Sequence, residues 1–409
     1  MIRKQDILDR AGEWLLRPDV VEKDYVLGCF LAALGQHAPA GLTWVFKGGT
    51  CLKKCFFETF RFSEDLDFTI LPEAEYTEEA IRGVISEAAE RAEELSGVSF
   101  LRDGIVVRPR QDLLGRPTYE VRIGYRGPLQ VPGPPRLRLD LTQHEPLQES
   151  AQRVAIFHPY PDTVVEGITV LAYTLLELFA EKTRALQERT RPRDLYDVVF
   201  MLENRAAEID FGRARDLYSR KCIAKNIGAL SSAAMVERAR TSGELRSEWS
   251  NMLAHQLPQL PPLDPILDRL AGLLSWLDAP APLPVPVPVL GSASRAVDEE
   301  VLAPAGVTVW GVSVPLEVAR FAGANRLMVE FDYDGKHRVA APYSLRRAKT
   351  GNVLLYAWDR SDPHIKAFNV AKIRNLRATD IPFTPRYAVE FTAGGPPLAA
   401  PLVHRATRR

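Results

Sequence analysis

The sequence predicts an α+β protein, and three observations carry that expectation. Apolar residues at helical spacing occupy both ends of the main body, period-two segments lie between them, and a proline-rich stretch separates that body from a β-rich tail. At the amino end, Asp19-x-x-Glu22 has capping-box spacing and opens a helix carrying Val20, Tyr25, Leu27, Phe30, Leu31 and Leu34, closed by Gly35. Thr43 to Phe46 is a short strand that runs into Lys47-Gly48-Gly49-Thr50 and a short helix through Phe57. Arg61 to Leu71 contains a second strand. Thr77 caps a helix that ends before Gly97, with Ile81, Val84, Ile85, Ala88, Ala92 and Leu95 facing inward. Period-two strands follow, marked by Tyr119, Val121, Ile123 and Tyr125 and then by Leu137, Leu139 and Leu141. From Thr169 to Asn204 the pattern is helical with a break at Arg191-Pro192, and residues 205 to 278 read as further helix.

Alternating proline from Ala279 to Val289 holds the chain near polyproline II, which makes a stiff linker. The expected organisation is a core over residues 1–205, a helical extension over 206–278, a linker over 279–295 and a small β module over 296–409. Strands in that module are expected over Arg326 to Tyr333, Lys336 to Pro342, Asn352 to Asp359 and Ile365 to Val370, forming a small barrel or sandwich.

Composition excludes whole classes. With 409 residues, 46% hydrophobic and 25% charged, the chain is neither collagen-like, disordered nor a disulfide-stapled miniprotein. Cys29, Cys51, Cys55 and Cys222 are too scattered for a disulfide framework, and no second pair completes a zinc site with Cys51 and Cys55. The start lacks an apolar signal core, and the apolar stretch from Leu171 to Ala180 is broken by Glu177, so a soluble cytoplasmic protein without membrane association is expected. Net charge is zero, yet Arg320 to Arg409 holds 16 basic and 7 acidic residues, so that segment carries +9 and residues 1–319 carry −9. A basic module on an acidic body suits a polyanionic partner.

Chemistry concentrates in Arg61-Phe62-Ser63-Glu64-Asp65-Leu66-Asp67-Phe68-Thr69. On a strand Asp65 and Asp67 share a face while Leu66 and Phe68 pack inward. Adjacent carboxylates repel unless a cation neutralises them, and oxygen ligands suit Mg²⁺, with Mn²⁺ as a substitute; a solvated strand face is the alternative. Upstream, Gly48-Gly49-Thr50 lies where a strand meets a helix N-terminus, whose free N–H groups favour phosphate; a plain glycine corner capped by Thr50 would look the same. Asp140 falls on the polar face of the strand Arg136 to Leu141 and is either a third metal ligand or a solvent-facing acid. Lys182, and then Arg193, Asp194 and Asp197 at the start of the next helix, form the third element. The two aspartates lie three apart on one face, and a solvated basic turn is the competing explanation.

The blocks FKGGTCLKK, RFSEDLDF and EKTRALQERTRPRDLYD, in that order, with the early VEKDYVLGCFLAAL, resemble the AbiEii/AbiGii toxin family of nucleotidyltransferases over roughly residues 15 to 205, more weakly to about 275. The resemblance implies a polymerase-β-like nucleotidyltransferase fold with a helical bundle, and a toxin of a toxin–antitoxin or phage-defence system. Related MenT toxins add nucleotides to the 3′ end of tRNA, so the resemblance implies transfer from an NTP to RNA and a cognate antitoxin partner. It implies triphosphate contacts from Lys47, Gly48, Gly49, Thr50, Arg61, Ser63, Lys182 and Arg193. It also implies metal on Asp65 and Asp67, and completion of the site by Asp194 or Asp197. The tail is similar to a WYL-type domain, an Sm/SH3-like β-barrel, although Asn352-Val353-Leu354-Leu355 stands where the naming aromatic pair would be. Arg346, Arg347, Lys349, Lys366, Arg374 and Arg377 offer it a basic surface for nucleic acid.

Three other readings compete. Asp65-Leu66-Asp67-Phe68-Thr69 also fits the D-x-D-x-T of haloacid-dehalogenase-type phosphatases, but that motif follows an apolar strand and here Arg61 to Glu64 precede it. A small-molecule nucleotidyltransferase of the antibiotic-modifying kind would share every catalytic residue. A non-catalytic nucleic-acid-binding defence regulator would use the tail alone.

Overall fold

Helices α1 (Lys4–Trp14), α2 (Pro18–Gln36) and α3 (Ala40–Thr43) lead into strand β1 (Trp44–Lys47), the four-residue α4 (Gly48–Cys51), β2 (Asp65–Ile70) and α5 (Glu78–Ser96). Strands β3 (Ser99–Gln111), β4 (Pro117–Arg126), β5 (Arg136–Thr142), β6 (Gln152–Ala155) and β7 (Thr169–Ala172) follow. Next come α6 (Leu175–Arg189), α7 (Pro192–Arg205), α8 (Phe211–Ala224), α9 (Ser232–Thr241), α10 (Gly243–Leu253) and α11 (Leu263–Leu274). The chain then forms β8 (Glu299–Val301), α12 (Leu316–Ala324), β9 (Leu327–Tyr333), β10 (Lys336–Ala348), β11 (Val353–Asp359), β12 (Ile365–Asn369) and β13 (Ile373–Pro382). This computed structural model describes residues 2–112, 114–162, 164, 167–278, 299–301, 316–348 and 350–391.

Two compact units emerge. The first comprises Met1–Gly12, Leu16–Arg189 and Ile209–Leu230, and the second Glu13–Leu15, Thr190–Glu208 and Ser231–Arg409. The α+β expectation holds. The proline-rich segment and residues 302–315 lie outside the described residues.

The first unit is built on a seven-stranded mixed sheet of order β3-β4-β5-β2-β1-β7-β6. β2 runs antiparallel to β1 and parallel to β5, and β5 is antiparallel to β4. Alternation gives the sheet two unlike faces. Leu66, Phe68, Val121, Ile123, Leu137, Leu139 and Leu141 are buried on one, with α2 and α5 packed among the neighbouring elements. Asp65, Asp67, Arg138, Asp140 and Arg122 sit half-buried on the other. Helix α5 begins and ends as its residues dictate: Thr77 Oγ1 accepts from Ala80 N–H at 3.2 Å, and Gly97 closes it at φ +72°.

Two local expectations fail for identifiable reasons. Helix α2 starts at Pro18 with Arg17 as an uncapped N-cap, so Asp19 lies inside the first turn. Proline's fixed φ suits N1, and the Glu22 carboxylate instead accepts the Leu129 backbone N–H. Thr169–Ala172 is not helical; it is β7, paired parallel to β1 and antiparallel to β6. A four-residue apolar run touching a helix has no periodicity of its own, and sheet pairing decides its conformation.

In the second unit, α7 and α9 to α11 associate with α12 and a six-stranded antiparallel sheet of order β12-β11-β10-β9-β13, with β8 added on β10. Tyr196 on α7 donates to Asn325 Oδ1 at 2.8 Å, and Asn204 Nδ2 donates to the Ala324 carbonyl at 3.1 Å. The strands expected in the tail are present, extended by β13 and preceded by α12. Among the described residues the sheet does not close, so an Sm/SH3-like barrel is not seen. β10 bends at the Pro342/Ser344 register shift and pairs with β9 before it and β8 after it.

Candidate active site

The site grows from the junction of β1 and β2. At that junction Lys47 pairs with Asp67, and β2 pairs with β5 so that Asp67 lies opposite Asp140 and Asp65 opposite Arg138. Gly48 follows immediately, at φ +82°, and a Cβ there would stand 2.1 Å from Asp67 Oδ2. Only glycine lets the backbone pass this close beneath the carboxylate. A Cβ on Gly49 would meet Arg61 Nη2 at 2.5 Å and Ser63 Oγ at 3.2 Å, so this second glycine brings Arg61 and Ser63 against the same turn.

The expected helix N-terminus is short. α4 runs four residues, from Gly48 to Cys51, and continues as a π-helical turn to Phe56. Thr50 does not cap it; its hydroxyl donates to the Asp65 carbonyl and ties the turn to β2. The paired lysines of the same block point into the structure. Lys54 forms a buried ion pair with Asp24 at 2.7 Å, and Lys53 donates to the Glu58 carbonyl.

Electrostatics single out Asp67. Burial pushes its carboxyl up to about 7, the charges of Asp140 and Asp65 add to this, and Lys47 and Lys182 only partly offset it. Asp140 is also raised by burial, against the pull of Arg138, whose Nη2 donates to it at 2.9 Å. Two acids in register, both raised, repel each other, and a cation between them would relieve that repulsion. Carboxylate oxygens are the ligands that a hard divalent metal takes, so Asp65 and Asp67 fit one. Among the described residues no three His, Cys, Asp or Glu side chains converge as a metal-binding group. Asp140 is at the same time engaged by Arg138, whose Nη2 lies 2.9 Å from Oδ2.

A cleft of about 470 Å³ opens beside Asp67, lined by Lys47, Gly48, Glu145, Lys182 and Lys225 among others. Lys182 comes from α6, as expected for its helical setting, although that helix begins at Leu175 rather than at Thr169. Lys47 Nζ donates to Thr142 Oγ1 at 3.1 Å and to Glu145. Lys225 holds the other oxygen of Glu145 at 2.9 Å. Burial works to raise the Glu145 carboxyl, but Lys47 and Lys225 outweigh it and keep it well below the usual carboxylate range.

The structure thus brings Lys47, Gly48, Gly49, Arg61, Ser63, Asp65, Asp67, Asp140 and Lys182 together within the first unit. Arg193, Asp194 and Asp197 fall in the second unit, at the start of α7, where both aspartates are buried. Sequence reasoning missed Glu145 and Lys225. Neither sits in a motif, and the only hint was their charge in otherwise unassigned segments.

A glycine turn thus lies under an acidic strand pair and is faced by lysines across a cleft. The chain belongs to the family described as nucleotidyl transferase AbiEii toxin, type IV TA system, which matches residues 29–272. It is thus a member of a nucleotidyltransferase toxin family. Among solved structures it is similar to MenT4, a nucleotidyltransferase toxin from Mycobacterium tuberculosis H37Rv, at 21% identity, covering 68% of this chain and 90% of that one, with a TM-score of 0.49. No curated protein matches the sequence. Among the described residues no helix is long and apolar enough to cross a membrane.

Proposed function

We propose that the chain transfers a nucleotide from an NTP to an RNA acceptor, the 3′ end of tRNA, releasing pyrophosphate, and that it is the toxin of a toxin–antitoxin pair acting in the cytoplasm. The observation that carries this reading is Asp67, an acid raised to about 7 and opposite Asp140, beside a cleft lined by Lys47, Lys182 and Lys225. In this reading Asp65 and Asp67 hold a divalent cation, Mg²⁺ or Mn²⁺. When bound, it offsets charge on the α-phosphate and lowers the pKa of the acceptor hydroxyl.

The chain's own groups do the rest. Gly48 and Gly49 let the triphosphate approach the backbone, and Lys182 and Lys47 face its negative charge from the cleft. Arg61 and Ser63, held against Gly49, flank the same phosphates. Glu145 is the counter-ion that keeps Lys47 and Lys225 in place until the triphosphate takes over their charge. A cognate antitoxin would restrain the activity in the cell.

The test is to incubate the protein with Mg²⁺ and each labelled NTP in turn, with total RNA or with a small-molecule extract. Label in RNA for one or more nucleotides is the expected result. Label in a small molecule alone, or in nothing, would contradict it.

A further inference from the structure

The polar face of the first unit's sheet does not end at Asp140. Across the next strand Asp140 pairs in register with Glu120, and Glu120 pairs with Arg108 on β3. Side chains at matched register share a face, so one row crosses four strands, from acid on β2 to arginine on β3. Glu120 is 1% exposed, and three guanidinium groups converge on it: Arg110 at 2.8 Å, Arg122 at 2.7 Å and Arg138 at 3.5 Å. Their own side chains remain 54%, 35% and 41% exposed. Arg108 and Arg136 lie on the same face and add two more cations, so five arginines stand against Glu120 and Asp140.

A single buried carboxylate holding three arginines fixes their direction without neutralising them. Such a cluster is preorganised for anions, because the planar fork of each guanidinium matches two phosphate oxygens. It shares no residue with the lysine-lined cleft, whose lining comes from β1, α4, β2, the last residue of β3, α6 and the segments that follow β3, β5 and α8. From β2 to β3 the row extends about 14 Å at the usual strand spacing, long enough to meet more than one phosphate of a nucleic-acid backbone.

We infer that the arginine row Arg108, Arg110, Arg122, Arg136 and Arg138 is the track on which the phosphodiester backbone of the RNA acceptor lies as its terminal hydroxyl reaches Asp67. This rests on the reading of RNA as the acceptor. The cleft then takes the triphosphate from one side of the acidic pair and the track takes the acceptor from the other.

Binding of bulk tRNA to the full-length protein, measured at two or more salt concentrations, tests this. Arg108→Gln/Arg136→Gln removes two cations that Glu120 does not need, and Arg110→Gln/Arg122→Gln removes two that it does. The first variant should bind tRNA about tenfold more weakly, with the salt slope reduced by about 2, and nucleotide affinity unchanged. Arg110→Lys/Arg122→Lys should recover most of the loss of its glutamine counterpart, which separates charge from folding. Unchanged tRNA affinity in the first variant overturns the track while leaving the RNA reading intact. An equal loss of nucleotide binding overturns it by reassigning the row to the triphosphate. Wild-type protein that binds nucleotide but no RNA overturns both the track and the acceptor reading.

Discussion

Two carboxylate clusters, one in each unit, are built in opposite ways. Asp359 in the second unit is fully buried and satisfied. Arg338 reaches it at 2.9 Å, Lys366 at 2.8 Å and Ser361 Oγ at 2.7 Å. Burial works to raise its carboxyl, but the hydrogen bonds from Lys366 and Ser361 outweigh this and hold it at about 2. In the same unit, Arg346 grips Glu390 through two contacts of 2.8 and 2.9 Å, both side chains being buried. Asp67 in the first unit has the reverse environment, with another acid opposite it and Lys47, one of the two lysines that act on it, paired with Glu145. A carboxylate supplied with every partner it can use is holding a structure together. One left beside another acid is a candidate for ligand binding.

The largest effect should come from the unsatisfied cluster. Asp67→Ala is expected to lower transfer by about 100-fold or more, the scale of losing one preorganised charge-stabilising group, while the circular dichroism and melting profile stay native. Incorporation of label at the wild-type rate by a folded Asp67→Ala protein would break the comparison at its active end.

The satisfied cluster should show the complementary pattern. Glu390→Gln leaves Arg346 buried without its counter-charge and should destabilise the second unit by about 3 kcal/mol. Denaturant unfolding of the full chain measures this. A loss below a few tenths would mean that the buried pair adds no stability.

Acid titration sharpens the contrast with a smaller effect. The Asp359 carboxyl is depressed in the folded state, so its stabilisation is present above its ordinary value of 3.8 and is lost as pH falls towards 2. Wild type should exceed Asp359→Asn by about 1–2 kcal/mol at pH 6, and the gap should close on acidification. A gap that persists unchanged at pH 2 would contradict the assignment.

In the cell, induced expression without an antitoxin should slow bacterial growth, and Lys182→Ala should relieve it. Equal growth of wild-type and empty-vector cultures, with the protein soluble, would count against the toxin reading. Arg347→Gln/Arg374→Gln/Arg377→Gln, at three exposed arginines of the second unit's sheet, tests whether the basic tail contributes to acceptor capture. Weaker RNA binding with nucleotide binding retained would support that role, and unchanged RNA binding would contradict it.

The parts of the fold and site legible in the sequence were those written into local pattern. Leu137, Leu139 and Leu141 alternate because β5 has one buried face, and the same alternation places Asp140 on the open one. Thr77 and Gly97 bound α5 by capping chemistry that acts within a few residues. What failed depended on distant partners. Glu22 has capping-box spacing, yet it serves the Leu129 amide more than a hundred residues away. β7 looks like the first turn of α6 until β1 and β6 pair with it. Glu145 and Lys225 matter only because the fold brings them to Lys47. Glu120 lay inside a recognised strand, but its three arginines come from β3, β4 and β5, and no single window of sequence contains them.

The most direct measurement of the central claim is the thermal stability of wild type, Asp140→Asn and Asp67→Asn with and without Mg²⁺. If the acids of β2 and β5 are held unneutralised for a cation, Mg²⁺ should raise the melting temperature of wild type, raise that of Asp140→Asn less, and leave Asp67→Asn unchanged. Equal shifts in wild type and Asp67→Asn would contradict it.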